Sequence, residues 1–200
     1  MPKPYNPNDK WMLKAKSEGF RARSVYKLQE LDKEFSLFKK GQTVLDIGAA
    51  PGSWLQYVGK KILPNGKALG LDLKKIQFIA SNIETKVCDV LDPIQVKEAL
   101  EGYDQFDLII SDLAPNTSGI KYVDQQRSLD LDKATFETAK LYLKPKGVLL
   151  MKIFTGPDMD KFIKELKKHF RKVLISKPTA SRDRSKETYI ICSYNIIDNR

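Results

Sequence analysis

The sequence predicts a single α/β domain built around a mostly parallel, doubly wound sheet, and three observations support this fold class. Short apolar runs rich in β-branched residues alternate with amphipathic helical segments along most of the chain. The run Phe106–Ser111 is apolar through its middle, as in a parallel strand that is buried on both faces. The last two strand-like runs have no predicted helix between them, so we expect the final strand to be antiparallel.

Seven strands and a set of intervening helices follow from this pattern. The strands are predicted over Thr43–Ile47, Ala68–Leu73, Thr85–Cys88, Phe106–Ser111, Val148–Phe154, Lys172–Ser176 and Thr188–Tyr194. Helices are predicted over 22–35, Ser53–Ile62, Pro93–Leu100, Leu129–Leu143 and Asp158–Phe170, with a short helix near Trp11–Lys16. Apolar residues recur in the helices at three- and four-residue steps, which is the spacing of one helix face. We therefore expect helices on both faces of the sheet.

Turn-forming residues mark the boundaries between these elements. Gly48 ends the first strand, and Pro64-Asn65-Gly66 is a turn signal before the second. Pro93 stands where a helix tolerates proline, in its first turn. The segment 144–147, Lys-Pro-Lys-Gly, predicts the end of the long fourth helix.

Composition indicates one folded domain and a net positive charge that is compatible with anion binding. Hydrophobic residues make up 42% of the 200 residues, which is enough for a core, and the charged fraction of 30% is ordinary. We expect a basic N-terminal arm at 1–20 and one domain at 21–200. The formal charge of +10 suits a polyanion such as nucleic acid, although it also fits simple solubility.

Several other classes of protein are disfavoured. The cysteines, Cys88 and Cys192, lie in apolar strand-like runs, so we expect reduced thiols in an intracellular protein and no disulfide framework. The compartment (cytoplasm, nucleus or nucleolus, or mitochondrion) stays open. The single histidine, His169, has no companion ligands, so no metal site is predicted. No apolar stretch is long enough to cross a membrane.

A glycine-containing turn after the first predicted strand indicates a ligand site. It spans Asp46–Trp54, and in open α/β sheets ligands bind beyond the carboxyl ends of the strands. Gly48 and Gly52 allow the backbone to approach a ligand closely. Pro51 removes a backbone donor that a pyrophosphate would need, so a nucleoside ligand without one fits better than a nicotinamide dinucleotide.

Carboxylates at the ends of successive strands extend this site. Asp72 is placed to accept hydrogen bonds from ribose hydroxyls, and Asp89 to reach an adenine amino group. Asp112 ends the fourth strand, and three acids around one cleft favour a cationic ligand. Each Asp could instead cap a turn, and Trp54, close to Gly52, could be either a cofactor neighbour or a core residue.

Three charged residues stand where a core would not favour them. Lys152 interrupts the apolar strand Val148–Phe154 near its carboxyl end, where it needs a partner or the rim of a site. Lys27 lies on an amphipathic helix and Glu187 opens the last strand, and each alone could be a surface residue.

Taken together, these motifs resemble the FtsJ/RrmJ family of RNA 2'-O-ribose methyltransferases. The resemblance covers about Gly19 to Tyr194 and is carried by the segments 23–28 (RSVYKL), 46–54 (DIGAAPGSW), 111–116 (SDLAPN), 151–154 (MKIF) and 185–189 (SKETY). It implies a Rossmann-like seven-stranded fold and S-adenosyl-L-methionine as cofactor. The catalytic residues that it implies are Lys27, Asp112, Lys152 and Glu187, and the cofactor contacts expected with them are Gly48, Gly52, Trp54, Asp72, Asp89 and Asp112.

The resemblance also bears on the substrate, with several alternatives left open. The closing segment is most similar to enzymes that methylate a uridine of large-subunit ribosomal RNA, whereas transfer-RNA and mRNA-cap enzymes share the catalytic residues. A non-catalytic RNA-binding protein on this fold is the rival from another class. We expect a monomer that acts on ribosomal RNA or a ribosomal subunit, with no membrane partner. Predicted RNA contacts are Arg21, Arg23, Arg182, Arg184 and Lys186.

Two chemical roles are open for Lys152. In the first, Lys152 is the general base that takes the proton of the ribose 2'-hydroxyl. In the second, Lys152 keeps its charge and orients the hydroxyl oxygen for in-line attack on the methyl group. Glu187 and Lys27 would then position Lys152 and the incoming hydroxyl.

Overall fold

The computed structural model describes residues 10–115, 118–156, 158–180 and 187–195. The helices are α1 (Lys10–Ser17), α2 (Val25–Phe35), α3 (Ser53–Lys61), α4 (Pro93–Ala99), α5 (Lys121–Tyr142) and α6 (Met159–His169). The strands are β1 (Thr43–Ile47), β2 (Lys67–Asp72), β3 (Ile83–Val87), β4 (Phe106–Ser111), β5 (Leu143–Phe154), β6 (Phe170–Ser176) and β7 (Glu187–Asn195). No helix among these described residues is long and apolar enough to cross a membrane.

All seven strands form one sheet in the order β3-β2-β1-β4-β5-β7-β6. The first five strands in this order pair in parallel, and β7 is inserted antiparallel between β5 and β6. The predicted α/β class, the mostly parallel sheet and the antiparallel final strand are confirmed. The five parallel strands all end on the same side of the sheet, its carboxyl edge. Because β7 is antiparallel to β5, β7 begins at this edge, where β1, β4 and β5 end.

Helices cover both faces of the sheet, as the apolar spacing predicted. On one face, buried residues of α4, α5 and α6 pack against the strands around Phe106 and Ile109. On the other face, α2 and α3 pack against Leu108 and Ile110. The side chains of β4 from Leu108 to Ile110 therefore alternate between two cores, which explains why this middle part of the strand is apolar without interruption.

Most boundaries lie within about three residues of the prediction, and two, the starts of α5 and β5, differ by more. Helix α5 begins at Lys121, eight residues before the predicted start at Leu129, because 121–128 is too polar to show a helical apolar stripe. Strand β5 begins at Leu143, so the predicted helix stop at 144–147 lies within the strand. Its pairing with β4 shifts register between Phe106 and Leu108, and such an irregularity tolerates the proline and glycine of this segment.

The N-terminal region is partly packed onto the domain. Trp11 of α1 lies against Tyr26 of α2, with ring centroids 5.1 Å apart. Ala15, Val25 and Ala180 are buried in the same small cluster. Residues 10–17 of the predicted arm thus contribute a helix to the packed structure, and 1–9 lie outside the described residues.

Candidate functional site

The candidate site lies at the edge of the sheet where the parallel strands end. Asp112 follows β4 directly, and Lys152 lies near the end of β5. The antiparallel register of β5 and β7 places Glu187 opposite Phe154, and Tyr189 opposite Lys152. Residues far apart in sequence are therefore brought to one edge by strand direction and register.

Lys152 and Asp112 form the first ion pair of the site. The Lys152 Nζ lies 3.0 Å from Asp112 Oδ1 and donates a hydrogen bond of 2.9 Å to the Asp112 carbonyl oxygen. The Lys152 residue is only 5% exposed, so the pair and the carbonyl offset the loss of water around its ammonium group. An ammonium has three donors, so one stays available for a substrate oxygen.

Lys27 and Glu187 form the second ion pair. The Lys27 Nζ donates to Glu187 Oε2 at 2.7 Å, and the Lys27 residue is 8% exposed. The start of α2 is anchored near α3, since Trp54 Nε1 donates to the Ser24 carbonyl oxygen at 2.9 Å and the Ser24 and Ser53 hydroxyls lie 3.0 Å apart. This anchoring brings Lys27 from a helix to a site otherwise built from strands.

Tyr189 links the two pairs and was not predicted as a site residue. Its hydroxyl donates to Asp112 Oδ1 at 2.8 Å, and the Lys27 Nζ lies 6.0 Å from its ring centroid. Burial and the neighbouring Asp112 carboxylate raise the pKa of Tyr189 well above its ordinary value, so the phenol stays a donor. Strand alternation was the available signal, because Tyr189 follows Glu187 by two residues and shares its face.

We predict that Tyr189→Phe lowers kcat about 10- to 100-fold, because a hydrogen bond to the charged Asp112 is lost. Steady-state methyl-transfer kinetics would measure kcat separately from the KM for the methyl donor, which we expect to change little. Tyr103→Phe is the matched control, since the Tyr103 hydroxyl bonds Glu84 near the opposite edge of the sheet. An unchanged kcat for Tyr189→Phe would rule out this positioning role.

Beside the ion pairs lies a cavity of about 630 Å³ at the ends of β1, β2 and β4. Four of the predicted cofactor contacts line this cavity: Gly48, Asp72, Asp89 and Asp112. Gly52 and Trp54 do not line it. Gly52 lies beneath Arg21, and Trp54 is buried against Tyr189 with a ring-centroid distance of 6.1 Å. Direct cofactor contact by Gly52 and Trp54 stays a prediction.

The conformation of the glycine turn is fixed by steric contacts at Gly48 and by hydrogen bonds to Asp72. Gly48 has φ +80°, and a Cβ there would lie 2.6 Å from Leu113 Cδ2, so a larger residue would push into the cavity wall. The Ala50 backbone N–H donates to Asp72 Oδ2 at 2.9 Å, and the Lys74 N–H donates to Asp72 Oδ1 at 2.8 Å. Each Asp72 oxygen keeps a lone pair with which to accept from a ligand hydroxyl.

Asp46 is a further acidic residue of the site that sequence reasoning did not single out. Both carboxyl oxygens are buried without a hydrogen-bond partner among the described residues. Burial raises the pKa of Asp46 well above its ordinary value, and the nearby Asp112 and Asp72 carboxylates raise it further. Such a cluster of acids favours a cationic ligand. Like Lys152, Asp46 is a charged residue type inside an apolar strand, and that was the signal.

The predicted RNA contacts have different surroundings. Arg21 uses both terminal nitrogens within the protein, donating to the carbonyl oxygens of Pro51 and Gln77 at 3.1 and 3.0 Å and of Phe78 at 2.9 Å. These bonds tie it to the segment after β2. Arg23 is half-buried just before α2. Arg182, Arg184 and Lys186 lie outside the described residues, so RNA contact by all five residues stays a prediction.

A second, smaller cavity of about 270 Å³ adjoins the site between α5, α6 and the end of β5. Asp132 of α5 lines this cavity, and burial raises its pKa to about 8, whereas the nearby Lys152 lowers it. Asp124 and Asp158 line the same cavity. The Asp132 carboxyl has no hydrogen-bond or ion-pair partner among the described residues.

We predict that Asp132→Asn stabilises the protein increasingly as the pH rises from 5 to 8. The folded protein keeps the Asp132 proton up to a pH of about 8, whereas the unfolded chain releases it near its ordinary pKa. The free energy of unfolding of the wild type therefore falls across this window. By pH 8 the variant should gain at least about 1 kcal/mol, or roughly 2–4 °C in Tm. Thermal denaturation at both pH values, with the exposed Asp104→Asn as control, would contradict this if the Tm difference were constant.

Comparison with known proteins identifies the family of this chain. The sequence model of the FtsJ-like methyltransferase family matches residues 20–195. The "Ribosomal RNA large subunit methyltransferase E" of Legionella pneumophila is 41% identical over 192 residues, covering 94% of this chain and 93% of that protein. The protein of the same name from Bdellovibrio bacteriovorus is 40% identical over 190 residues, covering 94% and 96%.

A solved structure resembles the fold as well. The crystal structure of a protein described as a ribosomal RNA methyltransferase from Plasmodium falciparum superposes with a TM-score of 0.77 at 27% identity. The match covers 88% of this chain and 98% of that one. The family model spans most of the chain and the relatives match over nearly their whole length, so the chain belongs to the FtsJ-like methyltransferase family.

Proposed function

We propose that this protein transfers a methyl group from S-adenosyl-L-methionine to a ribose 2'-hydroxyl of RNA, and that the methylated nucleotide is a uridine of large-subunit ribosomal RNA. The observation that carries the proposal is the convergence of two lysines and two carboxylates beside the larger cavity. Lys152 is paired with Asp112, Lys27 is paired with Glu187, and Tyr189 joins the pairs. A ribose hydroxyl bound between the two ion pairs would lie near carboxylates that can accept its proton and near ammonium groups that can donate hydrogen bonds to its oxygen.

The larger cavity fits S-adenosyl-L-methionine. Its acidic lining and the orphaned Asp46 carboxyl favour a ligand with cationic groups, and Asp72 and Asp89 have lone pairs to spare for ribose hydroxyls and an adenine amino group. Leu73, Val90 and Leu113 add apolar wall for a flat base. When bound, the cofactor supplies an electrophilic methyl group. Asp112 lines the cavity and bonds Lys152, so it connects cofactor binding with the reaction centre.

The protein's part in the reaction is to hold the 2'-oxygen and to accept its proton. Lys152 has one donor left after bonding Asp112, and this donor can fix the hydroxyl oxygen in line. The proton then passes to a carboxylate. The candidate acceptor is Glu187, whose Oε2 is hydrogen-bonded to Lys27. In the alternative route, neutral Lys152 itself accepts the proton. Both routes need the buried ion pairs to exclude water and hold the geometry.

The substrate proposal rests on charge and on the relatives. A net charge of +10 favours a polyanionic substrate, and several relatives are named as large-subunit ribosomal RNA enzymes. We propose that a ribosomal subunit carries the target, and that the protein acts inside the cell as a monomer.

The test is methyl transfer to large ribosomal subunits, transfer RNA and capped mRNA in parallel assays. Large ribosomal subunits lacking the modification would be incubated with the protein and radiolabelled S-adenosyl-L-methionine, and 2'-O-methylated positions would be mapped by their resistance to alkaline cleavage. Label at one uridine ribose of the large-subunit RNA is the expected result. Label only in transfer RNA or capped mRNA would replace the substrate, and no transfer to any RNA would overturn the proposed function.

A further inference from the structure

The second cavity is built from a helix face that carries both polar and apolar residues. Gln125, Ser128, Leu129 and Asp132 line it at the three- and four-residue steps of one face of α5. The opposing wall comes from the end of β5 and the start of α6, including Phe154 and Phe162. This is a pocket with apolar walls and a small number of polar groups, as in sites that bind a small planar ligand. Its volume of about 270 Å³ is just below the range of drug-sized ligand pockets, so one small ring system is the expected occupant.

The cavity adjoins the larger cavity and lies near the reaction centre. Ala114 and Pro115 line both this cavity and the larger cavity beside it. The Lys152 Nζ lies 5.6 Å from the centroid of the Phe154 ring, and Phe154 lines the second cavity. A ribose held at Lys152 would therefore have this cavity next to it. Since a nucleobase is bonded to the ribose carbon adjacent to the one that carries the 2'-oxygen, the base of that nucleotide must lie close by.

We propose that the cavity between α5, α6 and the end of β5 receives the base of the methyl-accepting nucleotide, a pyrimidine, and that Asp132 reads its hydrogen-bonding edge. The proposal rests on the proposed function and deepens it. Enzymes that act on a nucleotide within structured RNA or DNA take the base out of its stack and hold it between aromatic or apolar side chains. Phe154 and Phe162 supply such surfaces here.

Asp132 has the chemistry for this contact. Its carboxyl lines the cavity and has no partner among the described residues, so it is available to a ligand. Its raised pKa of about 8 keeps it protonated at neutral pH, with one O–H donor and one carbonyl acceptor side by side. The edge of uracil presents a carbonyl acceptor next to an N–H donor, which pairs with both groups at once.

The experiment compares four variants with the wild type, using large ribosomal subunits as substrate. Ser128→Leu fills the cavity from a buried lining position, and Asp132→Leu removes the polar edge. Asp132→Asn keeps a donor and an acceptor and serves as the conservative variant. Lys133→Ala, at the next and exposed position of α5, is the matched control. The measurements are kcat/KM for the subunits, the Kd for S-adenosyl-L-methionine, and Tm.

We expect Ser128→Leu and Asp132→Leu each to lower kcat/KM for the subunits at least about 10-fold with the cofactor Kd unchanged. Lys133→Ala should stay near the wild type, and Asp132→Asn, which keeps a donor and an acceptor, should lower kcat/KM less than Asp132→Leu does. Folded Ser128→Leu protein with wild-type kcat/KM would overturn the base pocket while leaving the proposed function intact. Should one variant fail to fold, the other decides. A wild type inactive on every RNA would overturn the proposed function and the pocket together.

Discussion

Lys152→Ala is expected to lower the rate of methyl transfer at least about 100-fold while leaving the affinity for S-adenosyl-L-methionine largely intact. Lys152 does not line the larger cavity, but its amine is held at the reaction centre by the Asp112 carboxylate and carbonyl. Removing it takes away either the base or the fixed donor to the 2'-oxygen, and both routes fail. Single-turnover transfer to large ribosomal subunits and calorimetric cofactor binding would measure the two effects separately.

Two further variants sharpen this result. Lys144→Ala breaks an ion pair with Asp107 of similar length, 2.7 Å, at the amino end of the same strand, and serves as the matched control. Lys152→Arg keeps the charge but cannot give up a proton near neutral pH. Substantial activity in the arginine variant would favour the orienting role over the general base. Turnover by Lys152→Ala at the wild-type rate would remove Lys152 from the mechanism altogether.

Asp112→Ala is expected to weaken cofactor binding and to lower the transfer rate together. Asp112 lines the cofactor cavity, pairs with Lys152 and accepts from the Tyr189 hydroxyl. Its loss leaves the buried Lys152 ammonium without its carboxylate partner, which also destabilises the fold, by about 3–5 kcal/mol for a fully buried pair and by less at this partly exposed position. Cofactor Kd, single-turnover rate and Tm should all change.

Asp107→Ala is the control for that experiment, because Asp107 is also on β4 and pairs with a lysine of β5, but at the opposite edge of the sheet. It should lose stability without losing cofactor affinity. If Asp112→Ala bound the cofactor as tightly as the wild type, Asp112 would have no share in the cofactor site. The pair of results would then confine Asp112 to the reaction centre.

Much of the fold could be predicted because its signals are local. Apolar alternation and turn residues are read within windows of a few residues, and they located the strands of the sheet. Helix α5 was predicted to start too late because 121–128 presents polar residues toward a cavity, so the apolar spacing begins only at Leu129. Strand β5 was predicted to start too late because a proline and a glycine, tolerated at a pairing irregularity, look like a break.

Part of the site could also be predicted. Lys152 was noticed because a charged residue inside an apolar strand requires a partner, and Asp72, Asp89 and Asp112 were noticed because they end successive strands. The same signal is present at Asp46, a carboxyl inside the apolar strand β1. Strand alternation from Glu187 is the signal for Tyr189. Asp132 carries no such signal, since an acid on a helix is ordinary in composition.

The amino-acid sequence by itself determined which chemical groups are present and at which end of each strand they stand. Only the tertiary structure decided their partners and places: Lys152 with Asp112, Lys27 with Glu187, Tyr189 between them, and Asp132 on the wall of the second cavity. The reason is physical. Hydrogen bonds and ion pairs act over about 3 Å, and an error of one residue in strand register moves a side chain to the other face of the sheet.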